Sequence, residues 1–118
     1  MKVQKIAQPA AIASMESWGN VEGLPGTGSI ALSGIQKIIP GKEDIDCGIF
    51  ECGEGSYRRS VKQAEIMHIL NGNGAFTPDG EETVAFQPGD SLFFAANTEG
   101  TWVIENTMRK LYVIFDAS

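Results

Sequence analysis

The stretch Glu65-Ile66-Met67-His68-Ile69-Leu70, running into Asn71-Gly72-Asn73-Gly74, decides how the chain is read. Six residues dominated by large apolar side chains, bounded by residues that tolerate positive φ, have the length and punctuation of a β-strand rather than a helix. Side chains alternate across a strand, so Glu65 and Met67 share one face while Ile66, His68 and Leu70 share the other. The same rhythm extends outward in both directions. Expected strands are Gly34 to Ile39, Asp46 to Cys52, Tyr57 to Val61, Glu65 to Leu70, Gly74 to Phe76, Thr83 to Phe86, Ser91 to Ala95, Gly100 to Glu105 and Arg109 to Phe115. Asn71-Gly72-Asn73-Gly74, Pro78-Asp79-Gly80 and Pro88-Gly89-Asp90 supply the turns between them. Short strands separated at this spacing, with no long amphipathic helix, describe an all-β sandwich or barrel. Residues 1–30 carry weaker periodicity, and Pro25, Gly26 and Gly28 make loop, so an N-terminal arm or edge segment is expected there and the barrel proper over 31–118.

At 118 residues the chain is sized for one domain, and 42% hydrophobic against 20% charged side chains is enough to close a core without disulfides. No apolar run reaches the roughly 20 residues that a membrane-spanning helix needs. Fifteen acidic against nine basic side chains give a net charge of −6, the wrong sign for a counterion-driven nucleic-acid partner. Lys2 and Lys5 precede an alanine-rich stretch, but Gln8 and Pro9 interrupt it, so no targeting segment is read and a cytoplasmic location is expected. Cys47 and Cys52 lie five apart, matching neither a zinc knuckle nor a redox pair, and read as free thiols. Gly26-Thr27-Gly28-Ser29-Ile30-Ala31 formally satisfies a glycine-rich dinucleotide fingerprint, yet β-like residues follow it where a helix would have to start.

Gly53, Arg59, Val61, Glu65 and Gly72 stand at the spacing of the first motif of the cupins, and Gly89, Ala95, Asn97 and Gly100 at that of the second. The chain therefore resembles this family of small β-barrels, and in particular the branch that contains ureidoglycine aminohydrolase, ethanolamine-utilisation cupins and small DUF861-like proteins. The blocks carrying that closer likeness are Gly48-Ile49-Phe50-Glu51-Cys52, Glu65 to Gly72, Gly89-Asp90, Gly100-Thr101-Trp102 and Arg109-Lys110-Leu111-Tyr112. The resemblance implies a single jelly-roll β-barrel with a loose N-terminal arm. It also implies a metal site, but of the motif positions that would carry ligands only Glu65 retains one: Arg59 and Val61 replace histidines and Gly100 replaces the last. No metal and no other cofactor is therefore expected. An improvised oxygen site combining Glu65 with Glu51, Cys52, Tyr57 or Asp90 is disfavoured because the imidazoles that anchor transition metals are missing.

In the cupin register Arg59, Val61, Glu65 and Met67 face the barrel interior, as do Gly100, Trp102 and Ile104 on one strand and Lys110, Tyr112 and Ile114 on the next. An inward carboxylate needs a counter-charge. Glu65 with Lys110 is the expected central pair, with Arg59 rather than Arg58 as the second inward cation. Tyr57, Arg59, Met67, Phe94, Trp102 and Tyr112 are expected to line a pocket for a small polar metabolite, Glu65 and Lys110 being the acid/base pair if the protein is an enzyme of the aminohydrolase or isomerase type. An internal ion pair with no chemistry, in a structural dimerisation module, is the plainer alternative. His68, set outward between Ile66 and Leu70, is expected at an interface rather than on a metal, and the apolar outer stripe requires a cover, either the arm or a second copy in a homodimer.

Overall fold

The computed structural model describes residues 3–116. Among them eight antiparallel strands form one hydrogen-bonded sheet that folds back on itself: β1 (Glu16–Glu22), β2 (Ser29–Lys37), β3 (Asp46–Cys52), β4 (Gly55–Arg58), β5 (Ala64–Pro78), β6 (Val84–Phe86), β7 (Ser91–Phe94) and β8 (Gly100–Phe115). The architecture is all-β and jelly-roll-like, with one 3₁₀ turn, Pro9–Ala11, as its only helical element among the described residues.

Two long strands carry the fold. β5 and β8 pair from Ala64↔Phe115 to Pro78↔Gly100, and each serves two layers. The first half of β5 also pairs β7, and the second half pairs β6; the second half of β8 pairs β3, and its first half pairs β4. The layers meet through their inner side chains, with Phe94 of β7 against Phe76 of β5 and Trp102 of β8 at ring-centroid distances of 4.9 and 5.6 Å.

This continuity corrects two expected interruptions. Asn71-Gly72-Asn73-Gly74 is not a hairpin turn, and residues 106–108 do not break β8; instead the register shifts three times between Ile69 and Gly74, and the paired strands bend there. The glycines are needed because the two backbones press together. A Cβ at Gly72, which sits at φ +85°, would lie 2.3 Å from the Thr107 carbonyl oxygen, and one at Gly74 would lie 2.1 Å from that of Val103. The expected turns at Pro78-Asp79-Gly80 and Pro88-Gly89-Asp90 do form, closed by Glu81 N–H to the Pro78 carbonyl and Asp90 N–H to the Gln87 carbonyl, each at 3.1 Å.

The N-terminal region combines an arm with an edge strand. The sheet begins at Glu16, and β2 starts at Ser29 rather than Gly34, so the glycine-rich Gly26-Thr27-Gly28 leads into a strand. Only residues 3–15 lie outside it as an arm, and they are draped on the outer face. Arg109 donates to the carbonyls of Pro9 and Ile12 at 2.8 Å each, Asn71 to that of Ala10 at 2.9 Å, and Gln4 to that of Ile38 at 2.7 Å. Beyond the arm's reach, Phe93, Ile66 and Leu111 remain on the outer face of β7, β5 and β8 with 75, 40 and 43% of their surface exposed. No helix among the described residues is long and apolar enough to cross a membrane.

Candidate functional site

The inner parity of β3, β5 and β8 sends Asp46, Phe50, Glu65, Lys110 and Tyr112 into the barrel, where they border an open-ended cavity of about 280 Å³. One wall depends on a missing side chain. β2 presents Gly34 inward, opposite Phe50. A Cβ at Gly34 would sit 2.3 Å from the Trp18 ring, so glycine is what lets the indole of β1 lie over the inner face and wall the cavity.

At its floor Lys110 Nζ donates to Glu65 Oε2 at 2.9 Å, across 45 positions of sequence, and Arg59 Nη2 approaches Glu65 Oε1 at 3.5 Å. All three side chains are buried. Lys110 Nζ also lies 5.0 Å from the Phe50 ring centroid and 5.4 Å from that of Trp102, and the Arg59 guanidinium 4.6 Å over Phe94. These aromatic faces soften the desolvation of the cations. Arg59 also explains why β4 stops at Arg58 rather than running to Val61: its Nη1 donates to the carbonyls of Val61 and of Thr98, and Nη2 to that of Gln63, so the chain curls around its own guanidinium. Burial pulls that guanidinium down from its ordinary value and Glu65 draws it back up. Its Nε is buried with no partner among the described residues. Arg58 points the other way, to Asp79 at 2.6 Å in solvent.

Of the residues expected to line the pocket, Tyr57, Arg59, Trp102 and Tyr112 do so together with Glu65 and Lys110. Met67 and Phe94 do not. Met67 is wholly enclosed in the core, and Phe94 is consumed in the ring cluster with Phe76 and Trp102. Both have the right parity, but parity assigns a face and not the half of the barrel that is hollow. Among the lining residues that were not expected are Trp18, Asp46 and Phe50. The last two lie in a strand read correctly, at positions of one parity, which is the signal that would have found them.

The phenols are donors. Tyr112 donates to Asp46 Oδ1 at 2.8 Å, and its phenol is pushed up by burial and by that carboxylate. Tyr57 donates to Cys52 Sγ at 3.8 Å, and burial first, then Cys52, raise it well above its ordinary range. Burial likewise raises the Cys52 thiol. His68 lies on the opposite face, its Nδ1 2.8 Å from Ser91 Oγ, so Cys52 and His68 do not form a nucleophilic pair.

Glu51 faces outward to Arg109 at 2.9 Å, and Asp90 accepts from the Gln87 N–H of its own turn at 3.0 Å. Among the described residues no group of three or more His, Cys, Asp or Glu side chains is placed to hold a metal ion. The donor set at the motif positions does not fit a divalent metal either: Glu65 is engaged by an ammonium and a guanidinium, and the other positions hold Arg59, Val61 and Gly100.

A model of the EutQ-like cupin domain matches residues 41–112, more than half of the chain. The protein belongs to this cupin family. Solved structures agree on the fold. The cupin is similar to the EutQ protein of Clostridium difficile, with TM-score 0.64 and 18% identity over 75% of this chain and 71% of that one. A DUF861 family protein of unknown function from Pseudomonas syringae gives TM-score 0.73 and 15% identity over 87% of this chain but only 45% of that one. Ectoine synthase from P. lautus gives TM-score 0.61 and 15% identity over 71% and 63%. No curated protein matches the chain.

Proposed function

We propose that this cupin binds a small polar metabolite inside its barrel without a resident metal. The observation that carries this reading is the cavity of about 280 Å³ whose floor holds a buried Glu65 between Lys110 and Arg59 beneath aromatic walls. A few converging polar groups in an otherwise apolar hollow are the usual composition of a ligand site. A core pair with a purely structural role would be expected under close packing rather than beside open space. A thermal-shift screen of small acids, ureides, sugars and amines tests it, because a ligand specific to the folded state raises the melting temperature by mass action. Shifts that vanish in Lys110→Met support the reading; a flat response across the library overturns it and leaves the structural module. Elemental analysis of protein purified without a histidine tag tests the second half of the proposal. Stoichiometric zinc, nickel, manganese or iron would overturn it.

An enzymatic reading draws on one specific contact. Glu65 borders the cavity and is hydrogen-bonded by Lys110 at 2.9 Å, the arrangement of a carboxyl able to exchange a proton with a bound molecule while a facing cation steadies developing negative charge. Glu65→Gln is expected to abolish turnover of any substrate found while leaving its binding. Self-association is proposed as well: Phe93, Ile66 and Leu111 form an exposed apolar row that the arm leaves uncovered. Light scattering is expected to return a dimer at micromolar concentration and a monomer for Phe93→Ser.

A further inference from the structure

The charges around the cavity specify more than a polar ligand. Lys110 Nζ is buried, yet Glu65 is its one hydrogen-bond acceptor among the described residues. An ammonium has three N–H donors, and a buried charge is costly until they are used. Arg59 Nε, also buried, has no acceptor. Two cations against the single carboxylate of Glu65 leave this end of the cavity with an unmatched positive charge and spare donors, which is the recognition chemistry for a carboxylate.

The same sheet face, two strands away, carries the complementary group. Asp46 Oδ1 accepts from Tyr112 and, at 3.1 Å, from Gln36, whereas Oδ2 accepts from no described residue. Asp46 is only half-buried, so a charged partner docked there keeps part of its hydration. The sheet register sets Asp46 near the ion pair: Asp46 is level with Ile114 on β8, and Ile114 is level with Glu65 on β5. The two carboxylates therefore spring from backbones two strand spacings apart, about 9.5 Å. A cavity of about 280 Å³ holds only a short chain between the two charged groups. The rings of Trp18 and Phe50, 6.4 Å apart, line the same cavity and offer that chain an apolar wall.

We propose that the cavity takes a short amino carboxylate, its carboxylate on Lys110, its ammonium on Asp46 and its carbon chain against Trp18 and Phe50. The proposal rests on the binding reading above and narrows it. A dianion is disfavoured by Glu65 and Asp46, and a plain carboxylate leaves Asp46 Oδ2 unused.

Two-dimensional amide NMR titrations test it, following the cavity strands and the Trp18 indole. The probes are glycine, 3-aminopropanoate and 4-aminobutanoate, each beside its deaminated counterpart, acetate, propanoate or butanoate. At least one amino acid is expected to bind tenfold or more tightly than its counterpart. Asp46→Asn, which keeps an oxygen to accept from Tyr112 and Gln36, is expected to erase that preference while the plain carboxylate still binds. If no amino acid outdoes its counterpart, or if Asp46→Asn keeps the preference, the assignment is overturned. The broader binding reading is separable: it survives such a result when another class of compound stabilises the protein, and falls when none does.

Discussion

The two ends of the barrel interior are built from the same two strands and have opposite contents. Where the second half of β5 faces the first half of β8, Phe76, Phe86 and Trp102 pack with Phe94 of β7 into a dry plug whose ring centroids lie 4.8 to 5.8 Å apart. Where the first half of β5 faces the second half of β8, the inward side chains include Glu65, Lys110 and Tyr112, and they border open space. The filled end supplies packing that holds the strands in register. The hollow end spends part of that stability on buried charge, which is weak evidence for stability and better evidence for a site. Trp102 belongs to both, closing the plug on one side and bordering the cavity on the other.

The contrast can be broken most forcefully at that shared residue. Trp102→Ala removes the centre of the plug and a wall of the cavity, and is expected to cost about 3–5 kcal/mol in denaturant unfolding. Glu65→Ala is expected to cost nearly as much, about 3–5 kcal/mol, by leaving Lys110 buried without its counter-charge, whereas Glu65→Leu combined with Lys110→Met should lose less than either single change because no unpaired ammonium remains. A double variant no better than the singles would show that the hollow end is held by packing, as the filled end is.

Alkali should act through the donors of the hollow end. Burial keeps Tyr57, Tyr112 and Cys52 protonated beyond their ordinary values. The unfolded chain gives up those protons first, so above its own thiol and phenol values the folded state holds more protons and stability falls as pH rises. Melting temperature is expected to decline from about pH 9 and more steeply above about pH 10, with a shallower slope in Tyr57→Phe. The smallest effect is expected on the surface: Arg58→Ala breaks an exposed pair with Asp79 and should change stability by no more than about 0.5 kcal/mol.

What could be read from the residues follows the same division. Alternation placed Glu65, Trp102, Lys110 and Tyr112 inward because strand parity is a local property. It failed at β1, where Trp18 and Val21, the two partly buried residues, are three apart: Gly19 at φ +81° and the register shift between Ser17 and Asn20 break the period of two. It failed again at Asn71–Gly74, whose composition is that of a turn. The pressure that stretches this segment into a bulged strand comes from Val103 and Thr107, some 30 positions away, and is invisible locally. The hollow itself could not be read, since empty space depends on which inner faces meet, and Met67 and Phe94 have suitable identities on the wrong side of that boundary.

Arg109 and Lys110 are consecutive, and consecutive residues of β8 look in opposite directions. The guanidinium reaches out to Glu51 and the backbone of the arm; the ammonium reaches in to Glu65. Were β8 to mis-thread by a single step against its neighbours, only one cation would find an anion: either Lys110 takes the outward place beside Glu51 while Arg109 is driven into the enclosed position of Met108, or Arg109 takes the inward place beside Glu65 while Lys110 is turned out to solvent at the position of Leu111. Two neighbouring side chains thus serve as an alignment key, making the nearest competing pairing of the longest strand in the molecule electrostatically expensive.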